Sequence, residues 1–153
     1  MQGLGKSRIR RWLIGLLCVV SICVIAACAR DPSEQALRDT LDALQTAGEE
    51  RDVSDFMAHV AEDFVGNSSE YDRAGLERLL RMVSLRHQSI RVVKSGIEIE
   101  MHGDRAVVRM SILVTGGSGG LIPESGQLFD TESAWRFVDG EWMLGSATWK
   151  PSA

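Results

Sequence analysis

Trp135-Arg136-Phe137-Val138-Asp139-Gly140-Glu141-Trp142-Met143-Leu144 reads as two strands joined by a tight turn. Asp-Gly suits the positive φ values required at both central positions of a type I′ turn, whose twist matches that of antiparallel strands. On the N-terminal side Thr131, Ser133, Trp135 and Phe137 occupy alternate positions and share one strand face. On the C-terminal side a final strand runs from Trp142 to Lys150. Further upstream, Ile97, Ile99 and Met101 alternate with Glu98 and Glu100, and His102-Gly103-Asp104 turns the chain. Ala106, Val108, Met110, Ile112 and Val114 then line one face of a strand, with Val107, Arg109, Ser111 and Leu113 on the other. The C-terminal half therefore predicts a meander of about four antiparallel strands.

Before His87 the apolar period is helical. Asp31-Pro32-Ser33-Glu34 predicts a helix start with Asp31 as N-cap and Pro32 at the first helical position. Leu37, Leu41 and Leu44, with Ala36, Ala43 and Ala47, form one stripe, which the charged segment from Gly48 to Asp52 ends. A second helix, capped by Asp52 or Ser54, carries Phe56, Val60 and Phe64 four residues apart. A third begins near Asp72 and buries Leu76, Leu79, Leu80 and Val83. Three helices followed by an antiparallel meander define an α+β class.

The first 27 residues have a different character. Lys6, Arg8, Arg10 and Arg11 are followed by an uncharged apolar run from Trp12 to Ala27, the plan of an export signal. At ~1.5 Å rise per residue that run makes roughly 24 Å of helix, short of a ~30 Å hydrocarbon core. Cleavage before Cys28 leaves 13 basic against 21 acidic groups, a net charge of −8. Such a domain has no basic footprint for nucleic-acid phosphates, so nucleic acid is not an expected partner. All three cysteines, Cys18, Cys23 and Cys28, lie in or beside this segment, so the remaining chain has no internal disulfide to form.

Ile25-Ala26-Ala27-Cys28 resembles the lipobox of bacterial lipoproteins, with Ile25 in place of the usual leucine. The resemblance implies cleavage between Ala27 and Cys28, a diacylglyceryl group on the Cys28 thiol and an acyl chain such as palmitate on its amine. Several chains give stable membrane attachment where one gives only marginal binding. Ala29, rather than aspartate, implies passage to the outer membrane, facing the periplasm, if the cell has two membranes. The expected organisation is a signal peptide over 1–27, a lipidated N-terminus and tether over 28–32, a folded domain over 33–150 and a tail over 151–153.

The order of helices, the stretch Phe56-Met57-Ala58-His59-Val60-Ala61-Glu62-Asp63-Phe64-Val65 and the aromatic hairpin at Asp139-Gly140 resemble the nuclear transport factor 2-like superfamily. That group includes SnoaL-like and ketosteroid-isomerase-like domains of cystatin-like fold. The resemblance implies three N-terminal helices packed on a strongly curved antiparallel sheet, a cone that often encloses a ligand pocket. It also implies pairing of two copies through their sheets. The isomerase branch uses an aspartate base with an oxyanion hole of tyrosine and protonated aspartate. Here the sole tyrosine, Tyr71, precedes the third helix, and Gly66-Asn67-Ser68-Ser69 offers no aspartate where that base would fall.

Candidate chemistry is therefore sparse. Asp63, expected at the end of the second helix, is the candidate general base, with His59 one turn before it as a partner. Phe56, Phe64, Met110, Phe129, Trp135 and Trp149 are the candidate pocket walls, and equally candidates for plain core. His59, His87 and His102 lack metal-ligand spacing, so no metal or other cofactor is expected beyond the lipid on Cys28. Gly116-Gly117-Ser118-Gly119-Gly120 lacks the Lys-Ser/Thr of a phosphate loop and reads as a connection between strands. Three functions stay open: a noncatalytic module binding an apolar small molecule, lipid fragment or peptide, an adaptor binding an envelope protein, and a SnoaL-like enzyme using Asp63 and His59.

Overall fold

The computed structural model describes residues 31–118 and 125–152. The expectations for the signal segment, for Ala27 and Cys28, and for Gly119 and Gly120 of the glycine-rich connection lie outside those residues, while Gly116 and Gly117 belong to the strand Arg105–Gly117 rather than to a connection.

Helix α1 spans Glu34–Glu50, α2 Val53–Ala58 and α3 Arg73–Arg86. The strands are β1 Val60–Gly66, β2 Tyr71–Asp72, β3 Ser89–His102, β4 Arg105–Gly117, β5 Ser125–Val138 and β6 Glu141–Pro151. They form one sheet in the order β2-β1-β6-β5-β4-β3. The expected α+β cone class holds, but the sheet has six strands rather than about four, and β1 runs parallel to β6.

The extra strand corrects the reading of the second helix. Phe56, Val60 and Phe64 fit a helical period, yet α2 stops after six residues and the chain enters β1. Main-chain pairing decides the matter: Leu144 N donates to His59 O at 2.8 Å, and Asn67 N donates to Ala147 O at 2.9 Å. Val60 and Val65 favour a pleated surface, and pairing with β6 outweighs a four-residue coincidence. The start of α1 is corrected as well. Ser33, not Asp31, is the N-cap, its side chain accepting from Ala36 N at 3.1 Å. Asp72 caps α3 as expected, accepting from Gly75 N at 2.6 Å.

Both anticipated turns are present. Asp139 and Gly140 have φ of 53° and 87°, the two positive values of a type I′ turn. Curvature enters at irregularities in register, one at Ser95/Glu98 in β3, where Gly96 has φ 59°, and one between Ala134 and Trp135 of β5 against β6. Extra residues at such points bend a strand and increase its twist.

At one end of the sheet's inner face, Leu37, Val60, Val108 and Trp142 are almost wholly buried. There the Trp142 indole donates to Ser33 O at 3.2 Å and ties the hairpin to the start of α1. On the outer edge of β3, Gln45 of α1 donates to Val92 O at 2.9 Å, and Glu49 accepts from Val92 N at the same distance.

Candidate functional site

Toward the other end the inner face is hollow. A cavity of about 500 Å³ lies between α1, α2 and α3 on one side and the sheet on the other, within the ~300–1,000 Å³ common for small-molecule sites. Each element supplies wall residues through its apolar period. From β4 come Met110, Ile112 and Val114, continuing the face on which Ala106 and Val108 are core. From α3 come Leu76, Leu79, Leu80 and Val83. All six residues singled out from the sequence, Phe56, Phe64, Met110, Phe129, Trp135 and Trp149, stand on this one wall.

Trp135 forms the partition between hollow and core. It is 3% exposed, and its indole donates to Ser133 Oγ at 2.9 Å, while that hydroxyl donates to Val108 O at 3.3 Å. This is how a buried serine and a buried indole are both satisfied in an apolar interior. Most of the other polar wall groups are also engaged by the fold. Thr131 donates to Met110 O at 2.9 Å, and Gln45 is held by Val92 O. Lys94, whose side chain is 9% exposed, donates to Leu41 O at 3.0 Å and pairs with Asp42 at 2.5 Å. Asp52 accepts from Asp55 N at 3.0 Å as the N-cap of α2. Tyr71 packs its ring on Trp149 at 5.4 Å between centroids.

The expected base and its partner stand elsewhere. Asp63 is an exposed residue of β1 outside the cavity lining, where Arg136 of β5 reaches it with both guanidinium nitrogens across β6. That hydrogen bonding holds the Asp63 carboxyl below the ordinary carboxylate value, the reverse of what a general base near neutrality requires. His59 is the C-cap of α2, with its Nδ1 buried and unpartnered, and neither a hydrogen bond nor an ion pair joins it to Asp63. Their expected spacing on one helix disappears with the helix. Among the described lining residues Asp52 is the single carboxylate and there is no histidine. Among the described residues no group of three or more His, Cys, Asp or Glu side chains converges as a metal site would. No described helix is long and apolar enough to cross a membrane.

Arg51, Lys94 and Tyr71 also stand on the wall, and the sequence did not single them out for it. Arg51 belonged to the charged break after α1, and nothing in its neighbours marks that break as the edge of a cavity. Lys94 precedes the first clear alternation of β3, so its inward orientation had no local signal.

No protein-family model matches this chain, and no curated protein matches it by sequence. Solved structures do match, at identities that carry the fold alone. Bd1075 of Bdellovibrio bacteriovorus aligns with a TM-score of 0.67 at 14% identity over 77% of this chain and 41% of that protein. The present chain thus spans less than half of that protein's length. A candidate scytalone dehydratase from Novosphingobium aromaticivorans aligns at 0.69 and 15% identity, over 78% of this chain and 83% of the other. A nuclear transport factor 2-like protein from Cytophaga hutchinsonii aligns at 0.63 and 21% identity, over 79% and 99%. The fold is that of the nuclear transport factor 2-like proteins.

Proposed function

We propose that this protein is a lipid-anchored component of the cell envelope whose cone holds an apolar small molecule without transforming it. The observation that carries the reading is the hollow between helices and sheet, whose walls are apolar and whose polar groups are mostly engaged by the fold. Water gains few hydrogen bonds in such a space, so an apolar occupant is favoured there. Catalysis asks for two or more polar groups converging on a reacting atom, and the wall offers one carboxylate, already capping α2. The fold itself leaves both binding and chemistry open, and a candidate dehydratase shares it.

Anchoring rests on Ile25-Ala26-Ala27-Cys28 after a basic and then apolar segment. On this reading Cys28 carries diacylglyceryl and N-acyl lipid, and Ala29 directs the protein to an outer membrane where one exists. Native mass spectrometry of the protein extracted gently from its own membrane tests both parts. A retained small-molecule mass, together with a lipid-modified Cys28, is the expected result. An empty, unmodified chain would remove the basis for both. Cys28→Ser should release the protein from the membrane fraction.

One observation favours a second, compatible role. On the outer face of the sheet Val93, Leu113 and Leu128 stand opposite one another across β3, β4 and β5, at 56%, 37% and 40% exposure. Such a row suits contact with an envelope protein or a second copy of this chain. Sedimentation of the extracted protein separates a homodimer from a monomer.

A further inference from the structure

We infer that the occupant is a single-chain amphiphile with an anionic head, its chain lying along α3 and its head bound by Arg51. The inference rests on reading the cavity as a binding site and adds the chemistry of what fills it. Three observations carry it. The first is shape. The wall that α3 supplies runs from Leu76 to Ser84, about 12 Å of helix at ~1.5 Å per residue. A wall of that length accommodates an extended chain.

The second is charge. The described wall contains two cations, Lys94 and Arg51. Lys94 is matched by Asp42 and by Leu41 O. Arg51 is exposed at the rim, and its contact is a long one, donated to His87 O at 3.3 Å. Of the three carboxylates beside it in sequence, Glu49 accepts from Val92 N and Asp52 from Asp55 N, while Glu50 forms no ion pair with it. Among the described residues no carboxylate forms an ion pair with Arg51. Its planar fork is free to take a carboxylate or phosphate with paired hydrogen bonds.

The third is conformation. Arg51 has φ 61° at the end of α1, with Arg51 N donating to Gly48 O at 3.3 Å and Asp52 N to Ala47 O at 2.8 Å. That is the Schellman arrangement, in which glycine is favoured because a side chain in the left-handed region is strained. The chain holds an arginine where glycine would fold more easily. Strain retained at the mouth of a cavity points to a use for the side chain.

The test is calorimetric titration of the full lipidated protein in lipid nanodiscs, with empty nanodiscs subtracted. The probes are laurate, dodecyl phosphate and dodecanol, applied to the wild type and to Arg51→Gly. The wild type should bind at least one of the two anions roughly tenfold or more tightly than dodecanol, as expected for a charge-assisted pair. The ranking of the two anions identifies the head as carboxylate or phosphate. Arg51→Gly should abolish that preference, leave dodecanol binding unchanged and melt no lower than the wild type. Equal binding of anions and dodecanol, or an anion preference that survives Arg51→Gly, overturns the head assignment while the apolar cavity reading stands. Failure of all three probes to bind the wild type overturns both readings.

Discussion

Ala106 and Val108 at one end of β4, and Met110, Ile112 and Val114 at the other, belong to the same face of the same strand. Their environments differ. The first two are 1% and 0% exposed, closed over by Leu37, Trp135 and Trp142 in the core cluster. The other three look across a cavity of about 500 Å³ toward α1 and α3. The side chains are alike in chemistry, so the difference lies in what stands opposite. Near Trp142 the start of α1 is tied down to the sheet by the indole, whereas beyond Trp135 helices and sheet line a cavity between them. Apolar alternation states which face turns inward, and it is silent on whether the inside is filled.

The comparison fails most visibly at Trp142. Trp142→Ala removes a nearly fully buried indole from the packed end, where such truncations cost about 3–5 kcal/mol. Chemical denaturation should read a loss of that size. A loss below ~1 kcal/mol would mean that the packed end is no better filled than the hollow one. A smaller effect separates the two ends by enlargement rather than truncation. In a close-packed core added bulk costs about 1–3 kcal/mol, and Val108→Trp should reach or exceed that. Ile112→Trp, with open space before it, should cost less than ~1 kcal/mol and displace any retained ligand mass. An equal cost at both positions would place Ile112 in a filled core.

The smallest effect belongs to the outer face. Asp63 is exposed and its pair with Arg136 is open to solvent screening, so Asp63→Asn should leave stability near pH 7 almost unchanged and ligand binding untouched. The Arg136 hydrogen bond lowers the Asp63 pKa below the ordinary aspartate value. The unfolded chain therefore binds the proton more readily, and the contribution is present above about pH 4 and fades as pH falls through the lower folded value. Acid-unfolding curves of the wild type and Asp63→Asn should converge at the acidic end. A gap that widens there instead would contradict the pairing.

Much of the fold was legible because it was written locally. The Asp139-Gly140 turn, the α1 stripe and the inward set on β4 each depend on residues close in sequence, and each is present. Phe129 and Trp135 were legible because strand periodicity places them on one face of β5, whereas Phe56 comes to the wall from α2. What was not legible depends on distant partners. Strand β1 is held by β6, some eighty residues later, and its own pattern imitates a helix. The Asp63–Arg136 pair spans a similar distance, so the candidate base was assigned to the end of a helix that in fact stops at Ala58. Arg51 was hidden for a related reason: only the arrangement of the helices around the cavity puts the end of α1 on its wall.

The grip of α1 on Val92 bears on how the molecule behaves in company. Strand β3 ends the sheet, and a free edge of fourteen residues offers main-chain donors and acceptors to any passing extended segment. Gln45 and Glu49, one helical turn apart, bond the carbonyl and the amide of Val92 as a neighbouring strand would. The helix thus denies the N-terminal part of that edge to a foreign strand. Loosening these two side chains should leave the cone folded while opening a route to edge-to-edge aggregation, a hazard that grows wherever many copies are crowded onto one surface.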